Sequence, residues 1–176
     1  MLMTPARNAT ANIDNKPIEI QVGIADMKVS PSPNKIVTLG LGSCVGVTFY
    51  DPASKVGGLL HIMLPDSKQF NTAMKPAKFA DTGIPLLLAE FKRLGGKVHN
   101  IQAKIAGGAQ MFSGPNQKMA LNIGERNVDM TKKVLREIGI RLLANETGGS
   151  RGRTMILDTN NGEVTIRTVG TPLKII

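Results

Sequence analysis

Cys44 is the only cysteine in the chain. It can close no intrachain disulfide, which leaves an apolar structural residue, a metal ligand or a nucleophile. It lies in a run of small residues, Leu39-Gly40-Leu41-Gly42-Ser43-Cys44-Val45-Gly46-Val47. His61, one of two histidines, follows seventeen positions later in Gly57-Gly58-Leu59-Leu60-His61-Ile62-Met63-Leu64-Pro65. A free thiol, with a pKa of about 8.5, is mostly protonated at neutral pH. A neighbouring imidazole favours the thiolate–imidazolium form, a nucleophile that later returns a proton to the leaving group. An amide needs that proton, because ammonia leaves far more readily than an amide anion. The oxyanion needs aimed donors, most simply N–H groups of the loop formed by Gly42, Ser43 and Cys44. Thr38 carries a hydroxyl that can orient the imidazole, in the place a carboxylate takes elsewhere.

Other chemistry fits less well. One cysteine and two widely spaced histidines fall short of a structural zinc site. His99, in Lys97-Val98-His99-Asn100, reads as a solvated loop residue. Gly40-x-Gly42 lacks the third glycine spacing of a dinucleotide fingerprint, and there is no Gly-Lys-Ser/Thr phosphate loop. Gly42-x-Cys44-x-Gly46 has the shape of a nucleophile elbow. Val45 to Tyr50 is β-branched and aromatic, however, and reads as a strand where an elbow needs a helix. No cofactor and no metal are expected.

Positioning the pair falls to two strands. Val45–Tyr50 and Gly58–Leu64 flank Asp51-Pro52-Ala53-Ser54, a turn in which proline presets φ and Asp bonds its own backbone. A four-residue loop over 51–54 pairs positions whose numbers sum to 105. Cys44 then faces His61 with Cβ atoms about 4.5–5.5 Å apart. Gly46 and Gly57 fall on the same face, leaving room for a substrate side chain. A loop one residue longer would move the pair to opposite faces.

Around this hairpin, the alternation of Ile18, Ile20, Val22 and Ile24 predicts a strand within Pro17–Ser30, and Lys35–Leu39 another. Pro76 to Leu94 has helical spacing, with Pro85 predicting a kink or a break. Ile101–Ala106 reads as a strand, and Asn127 as the N-cap of a second helix ending before Gly139. Ile140–Ala144 is a further strand. Thr154–Asp158 and Val164–Val169 form a hairpin around Asn161-Gly162. The result is an α+β single domain, a layered α/β sandwich with mixed or antiparallel sheets, over residues 17–176. Residues 1–16 lack the apolar stretch of a secretory signal and read as a flexible arm.

The chain has 176 residues, 41% hydrophobic, and a formal net charge of +9. With no Trp and a single Tyr there is little to stack on bases, and the cations are dispersed, which argues against nucleic acid. No run is long and apolar enough for membrane insertion, so the cytoplasm is the expected compartment. Such dispersed charge reads first as an ordinary solvated surface, and otherwise as a field that would steer the chain toward an acidic protein partner.

Residues 39–47 and 57–65 resemble the CheD family of chemoreceptor glutamine deamidases. Tyr50-Asp51-Pro52, Lys78-Phe79-Ala80-Asp81, Ala103–Phe112 and Ile123-Gly124-Glu125-Arg126-Asn127 add to the likeness. Gly148-Gly149-Ser150-Arg151-Gly152-Arg153 completes it. Phe79 stands where Tyr is common, and Glu146-Thr147 where Asp-Val or Asp-Thr is usual. The resemblance implies a protein-glutamine glutaminase that converts glutamines of methyl-accepting chemotaxis receptors to glutamate and releases ammonia. It also implies that Cys44 is the nucleophile, His61 the general base and Thr38 the third catalytic member. The implied fold is that of the cytotoxic necrotizing factor deamidase domain. Implied partners are the receptors, whose helical bundles present acidic surfaces, and a CheC-type phosphatase. Association with receptor arrays follows. The reading from another class is a non-catalytic chemotaxis module that binds such a phosphatase. A small-molecule amidase is disfavoured, since the chain is short for a lidded pocket.

Overall fold

The computed structural model describes residues 16–69, 75–111 and 122–176. Residues 1–15 of the expected arm lie outside the described residues.

Ten strands and two α-helices are seen among the described residues. The strands are β1 (Glu19–Val22), β2 (Asp26–Pro31), β3 (Lys35–Leu41), β4 (Val45–Asp51) and β5 (Val56–Ile62), then β6 (Gln102–Gly107), β7 (Leu142–Thr147), β8 (Arg153–Asp158), β9 (Val164–Thr168) and β10 (Lys174–Ile175). Helix α1 spans Ala80–Arg93 and α2 spans Ile123–Glu137. The strands form two five-stranded sheets, ordered β1-β3-β8-β9-β10 and β2-β5-β4-β6-β7. The β1–β3 and β6–β7 pairs are parallel and the rest antiparallel. The expected α+β architecture with mixed sheets is present.

Two apolar layers hold these elements. Val45, Val47, Phe49, Leu60 and Ile62 pack with Ile84, Leu87 and Phe91 of α1 and Val128 and Leu135 of α2. On the opposite side Tyr50 and Leu59 pack with Leu41, Met155, Leu157 and Ile166 of the other sheet. Strands β4 and β5 are therefore buried on both faces, every residue of each. That explains why neither shows a clean alternation in sequence.

Several boundaries differ from the sequence reading. The stretch read as one strand over 17–30 is two, in different sheets, parted by a turn in which Ala25 has a φ of 56°. Proline 85 does not break α1: it lies on the exposed face, where the Asp81 carbonyl it leaves unbonded can meet water. The last expected strand before the final hairpin begins two residues later, as β7. The hairpin itself is β8 and β9, as expected, but its pairing is centred between Asn160 and Asn161, one residue before the Asn161-Gly162 centre.

The central hairpin turns over four residues, as expected, but those four are Pro52–Lys55. Asp51 pairs with Val56, so paired numbers sum to 107. Asp51 is the reason. Its carboxylate accepts from the Ala53 N–H at 2.8 Å, the Ser54 hydroxyl at 2.8 Å and the Lys97 N–H at 2.9 Å. These bonds hold it at the strand end, outside the loop. The centre moves by one residue and the register by two, so face parity is kept. His61 lies opposite Gly46, and Cys44 is its diagonal neighbour beyond the end of β4. Gly46 opens no substrate space: a Cβ there would come within 2.8 Å of Met155 Sδ and 2.9 Å of Leu41 Cδ1.

Candidate active site

Strand β3 belongs to the first sheet and β4 to the second, so residues 42–44 carry the chain across the sandwich. The β3–β8 register shifts between Thr38 and Leu41, an irregularity that bends the strand toward the crossing. Thr38 sits just before that bend and Cys44 just after it. His61 points from β5 into the space between the sheets, on the face that carries Leu59. The sequence-predicted trio thus lies at one edge of the intersheet layer, drawn from both sheets.

Thr38 and His61 are in direct contact. Thr38 Oγ1 lies 2.7 Å from His61 Nδ1 and 2.8 Å from the Val22 carbonyl. A carbonyl can only accept, and a hydroxyl has one proton, so Thr38 donates to Val22 and accepts from His61. Nδ1 therefore carries the imidazole proton, and Nε2 holds the lone pair. His61 is fully buried, and burial pushes its pKa down to about 4. It is neutral at pH 7, and its Nε2 has no hydrogen-bond partner among the described residues. An imidazole in that state can accept a proton at Nε2.

Cys44 is half-buried and packs against the intersheet layer. Burial pushes its thiol pKa up, and its own backbone N–H pulls the other way. No hydrogen bond joins its sulfur to His61. The pair rests as neutral thiol and neutral imidazole, not as the expected thiolate–imidazolium, because both groups are removed from water.

The loop around the thiol is fastened at three successive carbonyls. Ala109 N–H donates to Gly42 O at 2.7 Å, Asn127 Nδ2 to Ser43 O at 2.9 Å, and Gly108 N–H to Cys44 O at 2.8 Å. The Gly42 N–H donates to Gly40 O at 2.9 Å, so it is engaged within its own turn and is not a loose donor. Gly107 has a φ of 110°, and a Cβ there would lie 2.2 Å from Cys44 O. Only glycine allows β6 to pass so close beneath the Cys44 loop. Arg153 Nη1 in turn donates to Gly107 O at 2.9 Å.

Asn127 corrects the sequence reading. It is not an N-cap: α2 begins a turn earlier, after Asn122, and Asn127 is a fully buried residue inside the helix. Its amide nitrogen also donates to Met63 O at 3.0 Å, two residues beyond His61. Both acceptors are carbonyls, so the atom facing them is the nitrogen. Its Oδ1 is buried with no hydrogen-bond partner among the described residues. A signal existed in sequence, since an asparagine between Arg126 and Val128 is out of place in a helix interior unless its side chain bonds elsewhere.

A cavity of about 720 Å³ is lined by Gly40, Met111, Arg151, Arg153 and Arg167 among others, but not by Thr38, Cys44 or His61. His99 is exposed in a turn far along the chain from the trio. Among the described residues, no three His, Cys, Asp or Glu side chains gather as a metal site. No described helix is long and apolar enough to cross a membrane.

Among solved structures, the Neisseria meningitidis protein NMB0706 superposes with a TM-score of 0.46 at 12% identity, over 76% of this chain and 64% of that one. The family model for CheD chemotactic sensory transduction matches residues 63–168. The "Probable chemoreceptor glutamine deamidase CheD" of Desulforamulus reducens is 68% identical over 158 residues, covering 90% of this chain and 95% of that protein. The protein of the same name from Clostridium tetani is 51% identical, covering 89% and 94%. With the family model aligned to more than half of its residues and these relatives to nearly all of them, the chain belongs to the CheD family.

Proposed function

We propose that the chain is a chemoreceptor glutamine deamidase, hydrolysing side-chain amides of methyl-accepting receptors to glutamate and ammonia. The relatives' names supply the substrate class. The observation that carries the chemistry is the Val22–Thr38–His61 chain, which leaves an imidazole lone pair on the face that also bears the lone thiol. Cys44 Sγ attacks the amide carbon while His61 Nε2 takes the thiol proton. The amide π electrons move to oxygen, facing N–H donors of the loop that holds Gly42 and Ser43. His61 then gives its proton to the departing nitrogen, ammonia leaves, and a thioester remains. Water adds to the thioester with His61 as base, and glutamate and the thiol are restored. Thr38 keeps Nδ1 protonated throughout. No cofactor enters these steps.

Residues 17–176 make up the deamidase domain in this proposal, with 1–16 as an arm. The proposal includes a likeness to the cytotoxic necrotizing factor deamidase domain, supported by a cysteine and a histidine at the edge of a two-sheet sandwich. The proposed setting is cytoplasmic, at receptor arrays. A CheC-type phosphatase is the proposed second partner. Exposed Val169 after β9, Leu173 before β10 and Ile175 within that edge strand supply apolar surface for it.

The test is mass spectrometry of receptor cytoplasmic fragments incubated with the purified protein. Glutamine-to-glutamate conversion by the unaltered chain and none by Cys44→Ala is the expected result. Conversion that persists in Cys44→Ala would falsify the cysteine mechanism. Phosphatase binding that survives Cys44→Ala would mark a separate interaction surface.

A further inference from the structure

The three fastened carbonyls of the nucleophile loop dictate where its N–H groups point. In a trans peptide the C=O of one residue and the N–H of the next point in opposite directions. The peptides linking residues 42 to 44 are trans. Gly42 O and Ser43 O are drawn toward Ala109 and α2. The Ser43 and Cys44 N–H groups are therefore turned away from them, and neither donates to a backbone carbonyl among the described residues. Burial raises the pKa of the Cys44 thiol, and its own backbone N–H acts in the opposite direction. An oxygen on the carbon attacked by that sulfur forms within reach of the same donor.

We infer that Asn127 is a positioning residue that fixes the Ser43–Cys44 peptide so that the Cys44 N–H is preset to receive the oxyanion. The inference rests on the deamidase reading above and adds a residue to it. Gly42 O and Cys44 O are held by backbone N–H groups, which do not depend on side-chain identity. Ser43 O is held by a side chain, so this one peptide depends on what stands at position 127. The second bond, to Met63 O, blocks rotation of the amide: turning Oδ1 inward would set it against two carbonyl oxygens. A flipped Ser43–Cys44 peptide would in turn aim its N–H at an amide nitrogen that only donates. The same amide ties the thiol loop to the segment just beyond His61. Its Oδ1 has no hydrogen-bond partner among the described residues.

Asn127→Asp and Asn127→Ser test this. Each is expected to lower kcat for receptor fragments at least 30-fold with KM within threefold. Alkylation of Cys44 by iodoacetamide, which forms no oxyanion, stays within threefold of the unaltered chain. Unchanged kcat overturns the inference, and so does an equal loss of alkylation and deamidation, which signals general collapse of the loop. A measurement on the unaltered chain needs no variant. A peptide with an aldehyde in place of the glutamine carboxamide adds to the Cys44 sulfur: the S–C bond forms, the C=O π bond breaks, and the thiol proton moves to His61. The backbone ¹⁵N–¹H signal of Cys44 should shift downfield in that adduct. An adduct without the shift overturns the role of Asn127 and leaves the deamidase reading standing, whereas no adduct removes both.

Discussion

A hydroxyl with one proton decides the protonation of the imidazole. Thr38→Val removes that hydroxyl while keeping the shape of the side chain, and leaves His61 Nδ1–H and the Val22 carbonyl without partners. The tautomer is then free, and kcat should fall about 100-fold or more with KM little changed. Stability should fall by about 1–3 kcal/mol in urea melts. The depressed pKa of His61 sets the acid behaviour. Free-enzyme kcat/KM should hold as pH falls from 7 and decline only near 4, where His61 takes its proton. The unfolded chain binds that proton already near 6.5, so stability present above that pH is lost as pH falls toward 4. The loss is about 3 kcal/mol. Asp51 is also buried, but the N–H groups of Lys97 and Ala53 outweigh that and hold its pKa at about 2. Its contribution is kept above about 3.8 and disappears as pH falls through 2, a second step in an acid-unfolding curve.

The crossing of the chain between sheets makes a site of these residues. The β3–β4 crossover, the end of β6 and the buried face of α2 meet at residues 42–44. Gly107→Ala tests this junction, since the new Cβ would press on Cys44 O from 2.2 Å at a φ of 110°. Activity should fall by more than tenfold, with a stability loss of roughly 1–3 kcal/mol. Gly23→Ala, where a Cβ meets nothing within 4 Å, is the control and should match the unaltered chain in both assays. Equal behaviour of the two variants would count against a glycine requirement under the thiol.

At the scale of the molecule, the formal charge of +9 acts on encounter, not on the chemical step. Part of that charge is gathered around one cavity, lined by Arg151, Arg153 and Arg167. Raising ionic strength from 0.15 to 1 M shortens the Debye length from about 8 to about 3 Å. Receptor-fragment kcat/KM should fall roughly tenfold over that range while kcat holds, as stopped-time mass spectrometry can follow. Turnover of a short uncharged glutamine peptide should be indifferent to salt. Equal salt responses would remove steering as the role of the charge.

The sequence alone was enough to single out Cys44, His61 and Thr38, because rare reactive types stood among glycines and β-branched residues. It also revealed the central hairpin and the α+β class, since turn chemistry and periodicity are local. Register was only half legible: parity survived, but Asp51 bonds a backbone N–H forty-six residues away, which moved the turn by one. Asn127 resembled a cap because caps are recognised by residue type, whereas its partners, Ser43 and Met63, are set by packing of α2 on the second sheet. The resting charges of the thiol and imidazole also had to wait for the fold. Desolvation belongs to the assembled layer, and no spacing along a chain measures how completely two sheets exclude water.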